Sequence, residues 1–327
     1  MGNYLQNKLL KEGQVDFSGS FKKLVFNLLD ENPEIVLGDA DLGRAMYGEE
    51  YRELKNRYPK QMYDTGIAEA NMFGIASGLS LMGKIPIVHT FAAFASRRVF
   101  DTLFISGAYA GLNIKVIGSD PGITSTYNGG THSTFEDIGL MRSIPNAIIF
   151  EPADNVALNQ VFPQLINHYG ISYIRLPRKI KPLRIYPEEE KFEIGRAKRL
   201  REGTDATVIA LGTEIPEALK AAELLQSEGI NLRVVDPVTV CPFDVDELLS
   251  AIHETGAIIT AENHSIKTGL CAEVSRLIVE THPCPLEALG IKDEFGEVGD
   301  YDELLSRFSL TSSSIASAVK KCLRRKS

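Results

Sequence analysis

Residues 63–94 read YDTGIAEANMFGIASGLSLMGKIPIVHTFAAF, and the succession of loop, helix, strand and aromatic turn in this stretch decides the fold. One acid, Glu69, falls in the first turn of the helix, among Ile67, Ala68, Ala70 and Met72. Small and apolar residues follow at Phe73, Gly74, Ile75, Ala76, Gly78 and Leu79. A helix that is apolar nearly all round is expected to be buried. A lone carboxylate buried with it costs several kcal/mol unless it is paired or protonated, so Glu69 calls for a partner. The plainer alternative is an acid that favours the positive end of the helix dipole. From the residues alone the two readings stand level.

Outward from this stretch the chain alternates. Towards the N-terminus, Ser18 or Ser20 can cap a helix running to about Asp30, with Leu24, Val25, Leu28 and Leu29 on one face. A buried strand at 34–37 ends in GDADLG. Asp39 and Asp41 then lie at the carboxyl end of a strand, where open parallel sheets place ligands, although a plain Asx-turn explains Asp39 equally well. Residues 45–60 are a charged loop or helix, and 62–64 a short strand. After the strand at 84–89, residues 91–109 read as an amphipathic helix with Arg97, Arg98 and Asp101 on its polar side. A strand at 113–118 leads into a long glycine-rich loop, DPGITSTYNGGTHSTFEDIG, at 120–139; loops of this length in compact domains are usually functional. A helix at 134–142, strand 147–150, helix 154–168 and strand 172–176 complete the series, which argues for a mainly parallel sheet covered by helices. The pattern breaks in PRKIKPLRIYPEEEK, read as a linker. A second series follows: strand 207–211, helix 217–228 stopped by Gly229, strand 231–235, helix 245–253, strand 258–262 ending at ENH, and helices 270–281 and 311–323. The expected division is an N-terminal arm (1–17), a first domain (18–178), a linker (179–192) and a second domain (193–327), both domains α/β and doubly wound.

Composition narrows the function classes. With 327 residues, 44% of them hydrophobic, the chain can bury two ordinary cores. A net charge of −8 argues against a general nucleic-acid binder, and the basic end KKCLRRKS reads as the solvated end of a helix. Cys241, Cys271, Cys284 and Cys322 form no CxxC pair, and no His/Asp/Glu spacing marks a metal site made by this chain alone. Neither a leader peptide nor an apolar run of about 18 residues is visible, so no membrane association and a cytoplasmic, thiol-reducing setting are expected.

Three blocks in order, GIAEANM, HTFAAF and NGGTH (128–132), resemble the pyrimidine-binding half of transketolases, and the likeness runs from about Ser18 to Ser327. It spans the C-terminal two-thirds of a full-length transketolase; the second series resembles the C-terminal domain that transketolases share with deoxyxylulose-phosphate synthases and the β subunits of 2-oxoacid dehydrogenases. The resemblance implies thiamine diphosphate, which supplies carbanion chemistry at a carbonyl carbon, while the protein holds the cofactor, keeps a proton at its N1′ and excludes water. Glu69 is then the acid facing N1′ of the aminopyrimidine, and Phe91 and Phe94 the rings that stack on it. Asp41 and Leu42 correspond to the family's ADL motif. Arg97 stands where the family often has a tyrosine at the edge of the pyrimidine pocket, whereas Arg98 with Asp101 resembles the Arg-x-x-Asp pattern of deoxyxylulose-phosphate synthases. His132 is implied as a catalytic and substrate-site residue, His89 as a second substrate-site candidate.

What the chain lacks is equally informative. The family holds the diphosphate through Mg²⁺ on a GDG…N motif, and this sequence contains no GDG. The resemblance therefore implies half of a split enzyme, an α2β2 hetero-oligomer in which that motif and most of the Mg²⁺ ligation come from a separate N-terminal subunit. The rival readings are a 2-oxoacid dehydrogenase β subunit, a deoxyxylulose-phosphate-synthase-like enzyme and a non-catalytic regulatory subunit. The run TH-x-x-x-E-D-x-G-x-x-R-x-I-P at 131–145 favours transketolase, and the retention of Glu69, Phe91 and His132 together argues against a regulatory role. Three departures bear on substrate: Ala45 replaces a phosphate-binding serine, Asp120 a histidine, and Asn128 an acid that contacts substrate hydroxyls. Arg178 is the retained anion-binding position and Arg175 is expected to assist it; the alternative is that the partner chain or Arg44 fills the gap, so that ordinary sugar phosphates still bind. An arginine fork binds phosphate, carboxylate or sulfonate, so a substrate outside the usual sugar phosphates is expected.

Overall fold

The computed structural model describes residues 15–326, so the expected arm at 1–17 lies almost wholly outside the described residues. Twelve strands form two sheets: β1 (Ile35–Asp39), β2 (Met62–Asp64), β3 (Ile85–Phe91), β4 (Ile114–Ser119), β5 (Ile148–Phe150), β6 (Ile171–Leu176), β7 (Lys198–Arg201), β8 (Ala206–Ala210), β9 (Leu232–Asp236), β10 (Thr239–Cys241), β11 (Ile258–Ser265) and β12 (Leu286–Ile291). The first sheet has the order β10-β5-β6-β4-β3-β1-β2 and the second β12-β11-β8-β9-β7. Every pairing is parallel except β10 with β5 and β7 with β9. Helices cover both sheets, as the alternation of elements requires.

The N-terminal helices show how sequence positions each layer. Helix α1 (Phe17–Glu31) buries Phe17, Phe21, Val25 and Leu29, a strict i, i+4 stripe. Its cap is Asp16, whose carboxylate accepts the Gly19 amide at 2.8 Å. Neither serine expected as the cap serves: Ser18 donates to Asp16 at 2.8 Å and Ser20 is turned inward to Asn159. Helices α2 (Gly43–Tyr47) and α3 (Glu50–Arg57) occupy the charged stretch. Helix α4 (Glu69–Leu81) buries Glu69, Met72, Phe73, Ala76, Ser77 and Ser80, but its other face is open: Ile67, Ile75, Leu81 and Met82 are exposed. It is therefore a helix packed on one side only, contrary to the fully buried helix that its composition implies.

Between β3 and β4 the chain is not a plain α-helix. Phe94–Arg98 and Leu103–Tyr109 are π-helical, joined by one α turn at Phe100–Thr102. The wider i→i+5 turns shift the phase of every side chain beyond Phe94. The expected linker is no loose tether either. Ile185, Tyr186 and Phe192 are buried, and Asp154 accepts the amides of Ile185 and Tyr186 at 2.8 and 2.9 Å. β10 follows β9 in sequence yet adds antiparallel to β5 of the first sheet, so a strand from the second half of the chain completes the first sheet.

Candidate active site

The carboxyl ends of β1, β3, β4 and β6 bring the expected residues to one edge of the first sheet. At the end of β1 the ADL turn is pinned by carboxylates: Asp39 Oδ1 accepts the Leu42 amide at 2.5 Å and Asp64 Oδ1 accepts the Asp41 amide at 3.2 Å. Asp41 itself has φ 61° and an exposed side chain. His89, on β3, is turned inward. Its Nδ1 lies 2.9 Å from Asp39 Oδ2 and its Nε2 3.1 Å from Ser119 Oγ, with the ring buried. Both ring nitrogens are thus engaged across three neighbouring strands.

Glu69, at the first position of α4, is 3% exposed, and both its oxygens accept from Arg98 Nη1 at 2.8 Å. The Arg98 guanidinium lies 4.2 Å from the centre of the Phe94 ring. Arg97, one residue earlier, points elsewhere: it donates to the Thr131 carbonyl at 3.3 Å and pairs with Glu136 at 3.2 Å. The π-helical turn decides which arginine reaches Glu69, and it selects Arg98. Phe91, Phe94 and His132 then form a mutual cluster of rings, with centroids 6.0, 5.2 and 5.1 Å apart and planes inclined by 62–86°. His132 Nδ1 is 2.8 Å from Thr131 Oγ1, and Asn128 lies exposed on the same loop.

Arg178 completes the rim. Its guanidinium is 5.7 Å from the Phe91 ring centre, its Nη1 donates to the Ala45 carbonyl at 2.6 Å, and its Nε lies 2.9 Å from Asp120 Oδ2. The retained arginine and two of the three departures, Ala45 and Asp120, therefore meet at one point. Burial raises the Asp120 carboxyl, with the Arg178 charge pulling the other way. Arg175 does not assist. It is fully buried, bonded through Nε to Asp137 at 2.7 Å, paired with Glu151, and donating to the Asn263 carbonyl at 3.1 Å. Tyr173 donates to the same Asp137 oxygen at 2.7 Å. This cluster fixes the helix that follows the glycine-rich loop and engages every nitrogen of the Arg175 guanidinium.

The residues suit thiamine diphosphate. A buried carboxylate that can accept from a protonated ring nitrogen, beside an aromatic face, suits a flat heterocycle, and Arg98, a planar cation, already uses both surfaces at once. Among the described residues no three side chains are grouped to hold a metal ion, and no helix is long and apolar enough to cross a membrane.

Comparison with known proteins gives the same picture. The family model for the transketolase pyrimidine-binding domain matches residues 13–182, and that for the transketolase C-terminal domain matches residues 195–315. A 6-deoxy-6-sulfo-D-fructose transketolase subunit from a Clostridium species is 44% identical over 94% of both chains. An apulose-4-phosphate transketolase subunit from Phocaeicola vulgatus is 31% identical, covering 94% of this chain and 97% of the relative. The solved structure of a split-gene transketolase, described as an inactive β4 tetramer, superposes with a TM-score of 0.86 at 36% identity, covering 96% of this chain and all of the other. The chain belongs to the transketolase family, whose members depend on thiamine diphosphate, and its relatives of matching length include two named as transketolase subunits and one split-gene transketolase.

Proposed function

We propose that this chain is the pyrimidine-binding subunit of a split transketolase that moves a two-carbon ketol unit from an anionic ketose to an aldose. The observation that carries the reading is the linkage of Glu69, Arg98, Phe94 and His132 in one cluster in a chain with no GDG…N motif. In this reading Glu69 holds the proton at N1′ of the pyrimidine, Phe91 and Phe94 stack on that ring, and Asp41 and Leu42 line its approach. His132 and Asn128 face the substrate oxygens. The diphosphate site and its Mg²⁺ come from a separate subunit. Exposed apolar residues along α4 support such docking: Ile67, two residues before Glu69, is 77% exposed, and Leu81 and Met82 at the far end of the helix are 74% and 80% exposed, and exposed apolar surface of this kind marks interaction surfaces. Two copies of each subunit in a cytoplasmic α2β2 assembly fit the relatives' split organisation.

The donor we infer is a ketose with a terminal sulfonate, the class named in the 44% identical relative. Arg178 is held by Ala45 and Asp120 on one side, where a usual sugar-phosphate site has a hydroxyl and an imidazole. A single oriented guanidinium beside a carboxyl suits a monoanion better than a dianion. The test is kinetic. The chain is assembled with a diphosphate-binding partner, and 6-deoxy-6-sulfofructose is compared with xylulose 5-phosphate as donor. The sulfonated ketose is expected to have the higher kcat/KM. A clear preference for xylulose 5-phosphate overturns the substrate assignment. Turnover by the purified chain alone, free of any partner, overturns the split-enzyme reading itself.

A further inference from the structure

The loop that carries Asn128 and His132 is gripped along its length by the second half of the chain. At its entry, Asn263 Oδ1 accepts the Ile123 amide at 3.0 Å, and Asn263 Nδ2 donates to the Pro121 carbonyl at 3.3 Å. At its exit, His264 Nε2 accepts the Ile138 amide at 3.1 Å, and the Ser265 amide donates to the Phe135 carbonyl at 2.9 Å. At its centre the contact is closer still. The segment following β12 lies with Gly296 directly on Gly130: a Cβ on Gly130 would stand 2.6 Å from the Gly296 carbonyl oxygen, and a Cβ on Gly296 would stand 2.4 Å from Ser133 Cβ. A Cβ on Gly129, which also has φ +66°, would stand 2.6 Å from Val298 Cγ2. Two backbones meet here without room for a methyl group on either.

That seam is wired to His132. The Gly129 carbonyl accepts the His132 amide at 3.0 Å, the Ser133 amide at 2.9 Å and the Ser133 hydroxyl at 3.0 Å. Ser133 Oγ also lies 2.5 Å from Ser125 Oγ. Any displacement of Ser133 or Gly130 is therefore passed to the histidine between them, whose ring packs 5.1–5.2 Å from Phe94 and Phe91.

We propose that Gly296 and Val298 of the C-terminal domain are positioning residues for the reaction, pressing the 129–133 turn into the one shape that presents His132 to the substrate. This gives the C-terminal domain a part in catalysis although none of these residues touches substrate. The idea rests on the transketolase reading for its kinetic consequence but not for its structural one.

The test uses Gly296→Ala and Val298→Ala. Val298 is 68% exposed, so its truncation leaves the cores intact. In the full chain alone, amide hydrogen exchange at 126–133 is expected to rise in both variants while the protection of β4 and β6 is kept. In the complex with the diphosphate-binding subunit, Gly296→Ala is expected to lower kcat on the order of 100-fold, the effect of roughly 1 Å of misplacement, with half-saturation by thiamine diphosphate unchanged because Glu69 and Phe94 stay in place. Adding Gly296→Ala to His132→Ala should cause no further loss, and Ser133→Gly, which removes the atom the new methyl group meets, should restore part of the activity of Gly296→Ala. Unchanged exchange at 126–133 in both variants overturns the seam. Exchange that rises while kcat is unaffected, or losses that multiply with His132→Ala, overturn its role in positioning. If the wild-type complex shows no ketol transfer, the functional reading fails, and the exchange result still decides the structural claim.

Discussion

Glu69 joins the two readings that its sequence context left level. It is the first residue of α4, where a carboxylate gains from the helix dipole, and it is also buried against a guanidinium. The Arg98 side chain is 45% exposed, so this ion pair is worth no more than about 1 kcal/mol to folding. Stability therefore gives little reason for an acid in this position, and catalysis gives a specific one. Glu69→Gln keeps the volume and loses the proton. We expect the variant to unfold within about 1 kcal/mol of the wild type and, in the reconstituted enzyme, to lose about 10²–10⁴-fold in kcat, the range for a general acid–base group. Near-normal turnover would reduce Glu69 to a helix-end acid. At this scale Asp41, Glu69, Phe91 and Phe94 were legible because they lie at or just beyond the carboxyl end of a strand or at the start of a helix, and Asn128 and His132 because they lie in a glycine-rich loop. The choice of Arg98 over Arg97 was not, because a 3.6-residue period cannot foresee a π-helical turn. The burial of Arg175 was also hidden, since its partners Asp137 and Glu151 come from separate elements.

Among the elements, those with long local periodicity were readable: β1, β3, β4, β6, β8, β9, β11 and the helices between them fall close to where alternation and caps place them. Two of the unforeseen strands share a physical cause. β7 and β10 have four and three residues and pair antiparallel at sheet edges, so their partners, rather than their own sequence, make them strands. The expected linker at 179–192 reads so because prolines and charges erase periodicity, and Asp154 straps part of it down. One carboxylate oxygen caps the helix Asn155–Asn167 through the Ala157 amide at 2.9 Å; the other accepts Ile185 and Tyr186. Asp154→Ala removes the cap and leaves two buried amides unpaired. We expect a loss of roughly 3 kcal/mol from these together, read as a lowered denaturation midpoint, with faster proteolysis within 177–197. A loss below about 1 kcal/mol would show that the strap is held by Ile185, Tyr186 and Phe192 alone.

Across the whole molecule, the junction of the two sheets concentrates buried acids. Glu214 is fully buried with neither carboxyl oxygen hydrogen-bonded, and burial, with Glu217, Glu151 and Glu262 nearby, holds its pKa well above the ordinary value. Burial pushes Asp236 up to about 7 and Glu262 up to about 8, although Glu262 accepts the amides of Leu270 and Cys271 at 2.7 and 2.8 Å. For a carboxyl raised in this way the folded state holds a proton that the unfolded chain has given up. Its stabilising contribution is complete below the unfolded pKa near 4 and is lost as pH rises toward the folded value. Above the unfolded pKa and up to about pH 7 the Glu262 proton alone gives a slope of about −1.4 kcal/mol per pH unit, falling to about half of that by pH 8. Lys115, pushed down to about 7 by burial, works in the opposite direction above that pH, so the total slope of the wild type mixes several groups. The comparison that isolates one group is Glu262→Gln, whose amide oxygen can still accept the two backbone amides. Denaturant melts of both proteins from pH 6 to 8.5 should show the variant losing less stability across the range, the two lines diverging by about 1.4 kcal/mol per unit up to about pH 7 and by about half of that at pH 8. Parallel lines would mean that Glu262 is ionised in the folded protein at neutral pH, its charge carried by the helix N-terminus at Leu270 and Cys271.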